Sequence, residues 1–240
     1  MKETLYHFLT GVLDLFLWGG ELVGEENLPE RGPAVFVANH LETMGPIAAV
    51  CSIPLRLHPW IIADMVDTDL APAYLEWDFV QRNFHLKPPA SRWIAQALAK
   101  ITVPLLRSFG CVPVYKGYEN MHRTWEQSLK ILLEGKFLLI FPEDAHMKHD
   151  PVTRMSAFQR SFVRLGEIYY ERTGQRLAYY PVAIHGAGVV MVGRPVWHNP
   201  LNRPGLERHR LKDLMESAVR AMYLQIEGEK VGGVLTPEHK

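Results

Sequence analysis

The chain has 240 residues, 48% hydrophobic and 22% charged, which is enough apolar content for a substantial buried core. Lys plus Arg and Asp plus Glu balance at 26 each, so there is no global basic field of the kind that holds nucleic acid, and an anionic partner must be held by local groups. Two cysteines, Cys51 and Cys111, stand far apart in apolar surroundings, which argues against a disulfide framework and for buried thiols in a reducing compartment.

Leu5, Phe8, Leu9, Val12, Leu13 and Phe16 recur at helical spacing, and the segment closes at Trp18 before Gly19-Gly20. It falls short of the roughly 18 to 20 apolar residues that span a bilayer. It reads either as an interfacial helix lying on a membrane or as an ordinary helix packed on the domain. We therefore separate 1–20, an N-terminal apolar helix, from a single domain over 21–240. The first residues lack the plan of a secretory signal, so a cytoplasmic location is expected, peripheral on the inner face of the membrane.

Polar turn residues over 24–33 lead into an apolar strand at 34–38, a short helix at 46–50 and a second buried strand at 60–63. The stretch 64–89, with scattered aromatics and prolines, reads as a substrate-side insertion or lid. Helical periodicity returns over 91–107, with a kink or break expected at Pro104, and is followed by a strand at 110–116. Residues 119–134 form an amphipathic helix closed by Gly135, before the strand 137–141. A helix over 156–172, strands at 177–184 and 189–196, and a long closing helix over 206–227 complete the chain. Alternating strands and helices of these lengths predict an α/β fold with a mixed, largely parallel sheet flanked by helices.

Ligands of open α/β sheets collect beyond the carboxyl ends of the strands, and three polar motifs lie in or just after apolar strands. They are Asn39-His40, Tyr115-Lys116 and Pro142-Glu143-Asp144. A crevice shared by all three is the expectation.

These motifs resemble the blocks of the glycerolipid acyltransferase family, the 1-acylglycerol-3-phosphate acyltransferases and their relatives. Asn39-His40 matches the family's Asn-His, four residues and Asp, except that Gly45 stands at the Asp position. Gly110-Cys-Val-Pro-Val-Tyr-Lys116 resembles the second block, with Lys116 where the family has Arg. Phe141-Pro142-Glu143-Asp144 resembles Phe-Pro-Glu-Gly, and Tyr180-Pro181-Val182-Ala183-Ile184 resembles the last, Pro-containing strand. The resemblance spans most of the chain, from about residue 24 to 196. It implies the glycerol-phosphate acyltransferase-like fold, and transfer of a fatty acyl group from acyl-CoA or acyl carrier protein to the hydroxyl of a glycerophosphate or lysophospholipid. His40 would be the general base, because a protonated alcohol is a weak nucleophile. Asn39, Lys116, Glu143 and Arg160 would serve the substrate, Lys116 by holding phosphate and Glu143 by ordering the acceptor site. With Gly45 in place of the Asp, the carboxylate that orients the histidine is expected to come from Glu42 or Asp144. The helix over 91–109 and the aromatic segment before it are candidate walls for the acyl chain.

Two alternatives stand beside this: a catalytically impaired lipid-binding or regulatory member of the fold, and an acyltransferase with a non-phosphate acceptor. His146, His149 and Asp150 offer three potential metal ligands in one short loop, with no matching pair elsewhere, and the resemblance implies no metal or other cofactor.

Overall fold

The computed structural model describes residues 3–41, 44–115, 117–144 and 146–231. The strands are β1 (Glu21–Val23), β2 (Ala34–Ala38), β3 (Leu57–Ile62), β4 (Val112–Val114), β5 (Phe137–Ile140), β6 (Ala178–His185), β7 (Val189–Val192) and β8 (Val196–Trp197). The α-helices are α1 (Glu3–Leu13), α2 (Met44–Ser52), α3 (Ala71–Leu75), α4 (Arg82–Phe84), α5 (Ala90–Phe109), α6 (Met121–Leu133), α7 (Arg164–Thr173) and α8 (Pro204–Val231). Residues 58–128 form one unit, and the segments before and after them form a second.

In the second unit the strands run in the order β1-β7-β6-β2-β5. β2 lies parallel to both β5 and β6, and β1 lies parallel to β7. β6 and β7 form an antiparallel hairpin, and β8 pairs antiparallel with the first residues of β6. Every residue of β2 and β6 is buried, as expected for continuous apolar runs covered on both faces. α8 packs along β6, and α2 packs on β6 and β7. This is the expected α/β class, a largely parallel sheet flanked by helices.

α1 is fixed by one stripe only. Tyr6 and Thr10 are buried, and the Tyr6 hydroxyl accepts the Leu57 N–H at 3.2 Å. A π-helical turn, Asp14–Trp18, continues α1 and ends with Trp18 Nε1 donating to Ser52 Oγ at 2.9 Å. The outward face keeps Leu5, Phe8, Val12 and Leu15 exposed, Phe8 at 65% and Leu15 at 76%.

The unit of 58–128 is built on the parallel pair β3 and β4 and on helices. The stretch 64–89, expected to be an insertion or lid, is entered by a 3-10 turn (Ala63–Val66) and holds α3, a π-helical turn (Glu76–Gln81) and α4. Ala95, Ala99 and Val103 of α5 bury against Ala71, Leu75 and Val80. α5 is continuous through Pro104, which lies on an exposed turn where loss of a backbone donor is tolerated by solvent. Gly110 caps it with φ +78; a Cβ there would lie 2.7 Å from His58 Nδ1, so only glycine fits.

Three local expectations change. The helix placed at 156–172 begins later, as a 3-10 turn at Ser161–Val163 leading into α7, because residues 157–159 pair with 142–144 instead. The strand placed at 189–196 ends at Val192 and resumes as β8, with Gly193-Arg194-Pro195 between, so that the two pieces pair with different parts of β6. β1 was not foreseen; its three residues are paired by β7, far along the chain.

Candidate active site

β2 ends at Ala38, and the buried Asn39 adds one more rung to the sheet. Its Nδ2 donates to the Ile184 carbonyl at 2.9 Å and its Oδ1 accepts the Ile184 N–H at 2.7 Å. A side-chain amide carries the same donor and acceptor as a peptide, so Asn39 satisfies β6 where the β2 backbone leaves the ladder. The amide assigned to substrate by sequence is thus directed at β6. His40 is the first residue beyond that rung and is exposed.

The main chain of His40 is held from the other side by Glu143. Glu143 Oε1 accepts the His40 N–H at 2.5 Å, and Oε2 accepts the Ser156 N–H at 2.6 Å. Such bonds to an ionised acceptor are the stronger class. The His40 ring meets Phe141 edge to face, centroids 5.2 Å apart and planes at 70°. Burial pushes the Glu143 carboxyl above its ordinary value, opposed by the N–H groups of His40 and Ser156 and by the charges of His149 and Arg220.

Glu143 is itself placed by a short antiparallel bridge to Phe158, flanked by Asp144 N to Ala157 O at 2.9 Å and Gln159 N to Pro142 O at 2.7 Å. α8 clamps the far side of that bridge. Glu216 accepts the Phe158 N–H at 3.0 Å and pairs with Lys212 at 2.8 Å and Arg220 at 3.1 Å. Arg220 donates to Thr153 Oγ1 at 2.7 Å and to the Ser156 carbonyl at 3.1 Å. Sequence reading missed Ser156, Thr153, Glu216 and Arg220. Their one visible sign is the i, i+4 series Lys212, Glu216, Arg220, which looks like a solvated helix face.

Of the residues named from sequence, Asn39, His40 and Glu143 come together here, at the ends of β2 and β5. Asp144 follows in the same loop, where its Oδ1 accepts the His146 N–H at 3.0 Å. Arg160 contacts His209 on α8, with Nη1 at 2.6 Å from Nε2. Glu42 and Lys116 lie outside the described residues. Gly45, in the first turn of α2, is buried, and a Cβ there would sit 3.5 Å from His40 Cα, in ordinary contact. The histidine loop therefore has room for a side chain at this position.

The loop that carries His146, His149 and Asp150 uses its polar groups locally. Asp150 accepts from Val152 N, Thr153 N and Thr153 Oγ1 at 2.7 to 3.0 Å, and His149 Nδ1 lies 3.1 Å from both Ser156 Oγ and the Arg154 carbonyl. Among the described residues no three potential ligands gather around a common point.

Sheet order, helices and the strand-end histidine loop together define an α/β fold of the glycerophosphate acyltransferase type. A solved structure with that fold is the 1-acyl-sn-glycerophosphate (LPA) acyltransferase PlsC from Thermotoga maritima. It aligns with a TM-score of 0.53 at 15% identity, over 94% of this chain and 82% of that one. At such identity the likeness is one of fold. No protein-family model and no curated protein matches the chain.

Proposed function

We propose that the chain is an acyltransferase that moves a fatty acyl group from acyl-CoA or acyl carrier protein to the hydroxyl of a glycerophosphate or lysophospholipid. The observation that carries the reading is the Glu143 carboxylate gripping the backbone of His40 at the end of β2, in a fold like that of PlsC. His40 takes the proton of the acceptor hydroxyl as its oxygen attacks the thioester carbonyl. Collapse of the tetrahedral adduct breaks the C–S bond, and the departing thiolate takes that proton back from the imidazolium. Asn39 and Glu143 act as positioning residues, since both hold backbone around the histidine. Lys116 is the cation for the acceptor phosphate, and Glu42 or Asp144 orients the His40 ring. Arg160 takes part in holding anionic substrate, in exchange for its contact with His209.

The outward face of α1, with Leu5, Phe8, Val12 and Leu15, rests on the cytoplasmic surface of the membrane that carries the acceptor. No helix among the described residues is long and apolar enough to cross one.

Gly45 favours one other reading, a lipid-binding protein of this fold without transfer activity, because the position beside His40 carries no carboxylate. Purified protein given a long-chain acyl-CoA and a panel of phosphorylated and unphosphorylated acceptors separates the two. Acceptor-dependent CoA release that disappears in His40→Ala is the expected result. Release independent of His40, or none with any acceptor, overturns the transferase reading, and the acceptor panel reports whether the phosphate matters.

A further inference from the structure

The unit of 58–128 carries a second exposed apolar surface. On α5, Trp93, Ile94, Ile101 and Leu105 are all exposed, Trp93 and Ile101 each at 69%. At 100° per residue they fall within about 120° of the helix circumference and extend over roughly 18 Å of its length. Ala97 and Pro104, also exposed, complete this stripe. The opposite stripe, Ser91, Ala95, Ala99 and Val103, is the buried one. Elsewhere in the same unit Trp77 is 71% exposed and Phe84 is also open.

Charge identifies what fits this face. From Phe79 to Tyr118 the sequence has Arg82, Lys87, Arg92, Lys100, Arg107 and Lys116 and not one Asp or Glu, in a chain that balances the two only over its whole length. Arg92 is partly offset by Glu76, 3.6 Å away, and Arg107 donates to the Val66 carbonyl at 2.9 Å. Lys100 lies about 20° beyond the edge of the apolar stripe, where an ammonium reaches past an immersed apolar face. Exposed tryptophan, aliphatic residues and a cationic edge on one helix are the composition of a surface that enters the headgroup layer of an anionic bilayer.

We propose that the outward face of α5 is a lipid-docking surface for anionic membranes, separate from α1. The inference does not depend on turnover, since it concerns binding alone.

Co-sedimentation of the full chain with vesicles tests it, using phosphatidylcholine alone and phosphatidylcholine with about 30% phosphatidylglycerol. The double variant Trp93→Ser/Ile101→Ser should bind the anionic vesicles at least tenfold more weakly. Lys100→Glu should bind them about fivefold more weakly or worse, with little change on the neutral vesicles. Both variants alter exposed side chains, so their far-UV circular dichroism melts should match the parent. Phe8→Ser/Leu15→Ser, measured in parallel, isolates the α1 contribution. The proposal is overturned if the α1 variant alone removes binding while the α5 variants bind like the parent. It is equally overturned if the α5 variants abolish self-association in velocity sedimentation without changing vesicle binding, which would make a second copy of the chain the occupant. His40→Ala should bind as the parent does, so failure of the transferase reading leaves this result standing.

Discussion

Glu143→Gln keeps the shape of the side chain and removes one acceptor from between two donors. In the parent, the two carboxylate oxygens take the N–H groups of His40 and Ser156 at 2.5 and 2.6 Å. Glutamine has a single carbonyl oxygen, so one of these N–H groups must face an NH2. A buried donor left in that state costs about 1 to 3 kcal/mol. Against this, burial holds the Glu143 carboxyl above its ordinary value, so its ionised form is disfavoured in the fold and glutamine escapes that cost. We expect a net loss of about 1 to 2 kcal/mol near neutral pH, or a fall in Tm of roughly 2 to 8 °C for a chain of this length. The pH dependence has a defined sign. Because the folded pKa is raised, the stability linked to protonating Glu143 is fully present below the ordinary carboxylate value and is lost as pH rises through the folded value. Glutamine does not titrate, so the advantage of the parent should be widest in acid and should narrow toward neutral pH. Urea unfolding of both proteins at about pH 5 and about pH 8 measures the gap. Hydrogen exchange should show faster opening of the His40 and Ser156 amides in the variant. A gap that widens with pH would mean that the charged hydrogen bonds outweigh burial. No gap at either pH, with unchanged exchange, would refute the role given to Glu143.

Gly45→Asp places a carboxylate beside His40 in a position with room for its Cβ, and in the first turn of α2, where negative charge is favoured. Acceptor-dependent CoA release should rise at least tenfold, about 1.4 kcal/mol in barrier; an unchanged rate in a stably folded variant would show that another carboxylate already fills the role. Gly166→Ala in α7 sets a methyl 2.7 to 2.8 Å from the buried His198 ring and Cβ, and should lower stability by about 1 to 3 kcal/mol despite alanine's better helix propensity; a variant as stable as the parent in urea would mean that His198 can move aside. Burial, with Asp14 adding to it for Cys51, lifts both thiols from 9.0 to about 12, so each holds about a thousandth of the ordinary thiolate. Both cysteines are half-buried rather than fully buried, and native protein should react with a disulfide reagent far more slowly than unfolded protein; equal rates would refute the raised thiol pKa values.

The parts of the fold legible in the sequence are those whose side chains report their own surroundings. The runs at 34–38 and 137–140 are apolar on every residue because both faces of those strands are covered, and both appear close to where they were placed. The helix expected from Ser156 shows the opposite case. Phe158, Phe162, Leu165 and Tyr169 repeat at helical spacing and are all buried, yet Phe158 is extended and bridged to Glu143. Apolar spacing records burial, and a bend followed by a helix can bury the same residues. The histidine loop was visible because Asn39-His40 and Pro142-Glu143 each follow an apolar strand in the order of the acyltransferase blocks they resemble. Its supports were not, since Glu216 and Arg220 hold Phe158 and Ser156 from a helix 58 and 64 residues downstream and carry only the ordinary charges of a helix surface.

The rung that Asn39 adds to the sheet separates two properties that are often entangled at such positions. The path of the chain through His40 is set by bonds to main-chain atoms, from Glu143 on one side and through Asn39 to Ile184 on the other. None of these uses the imidazole. A Cβ at residue 45 would lie 3.5 Å from the backbone of His40, in ordinary contact, so a side chain can be introduced beside the histidine while these bonds keep the loop's shape. The loop is in this sense a fixed socket with an adjustable neighbour, suited to retuning the basicity of one histidine by substitution at a single helix position.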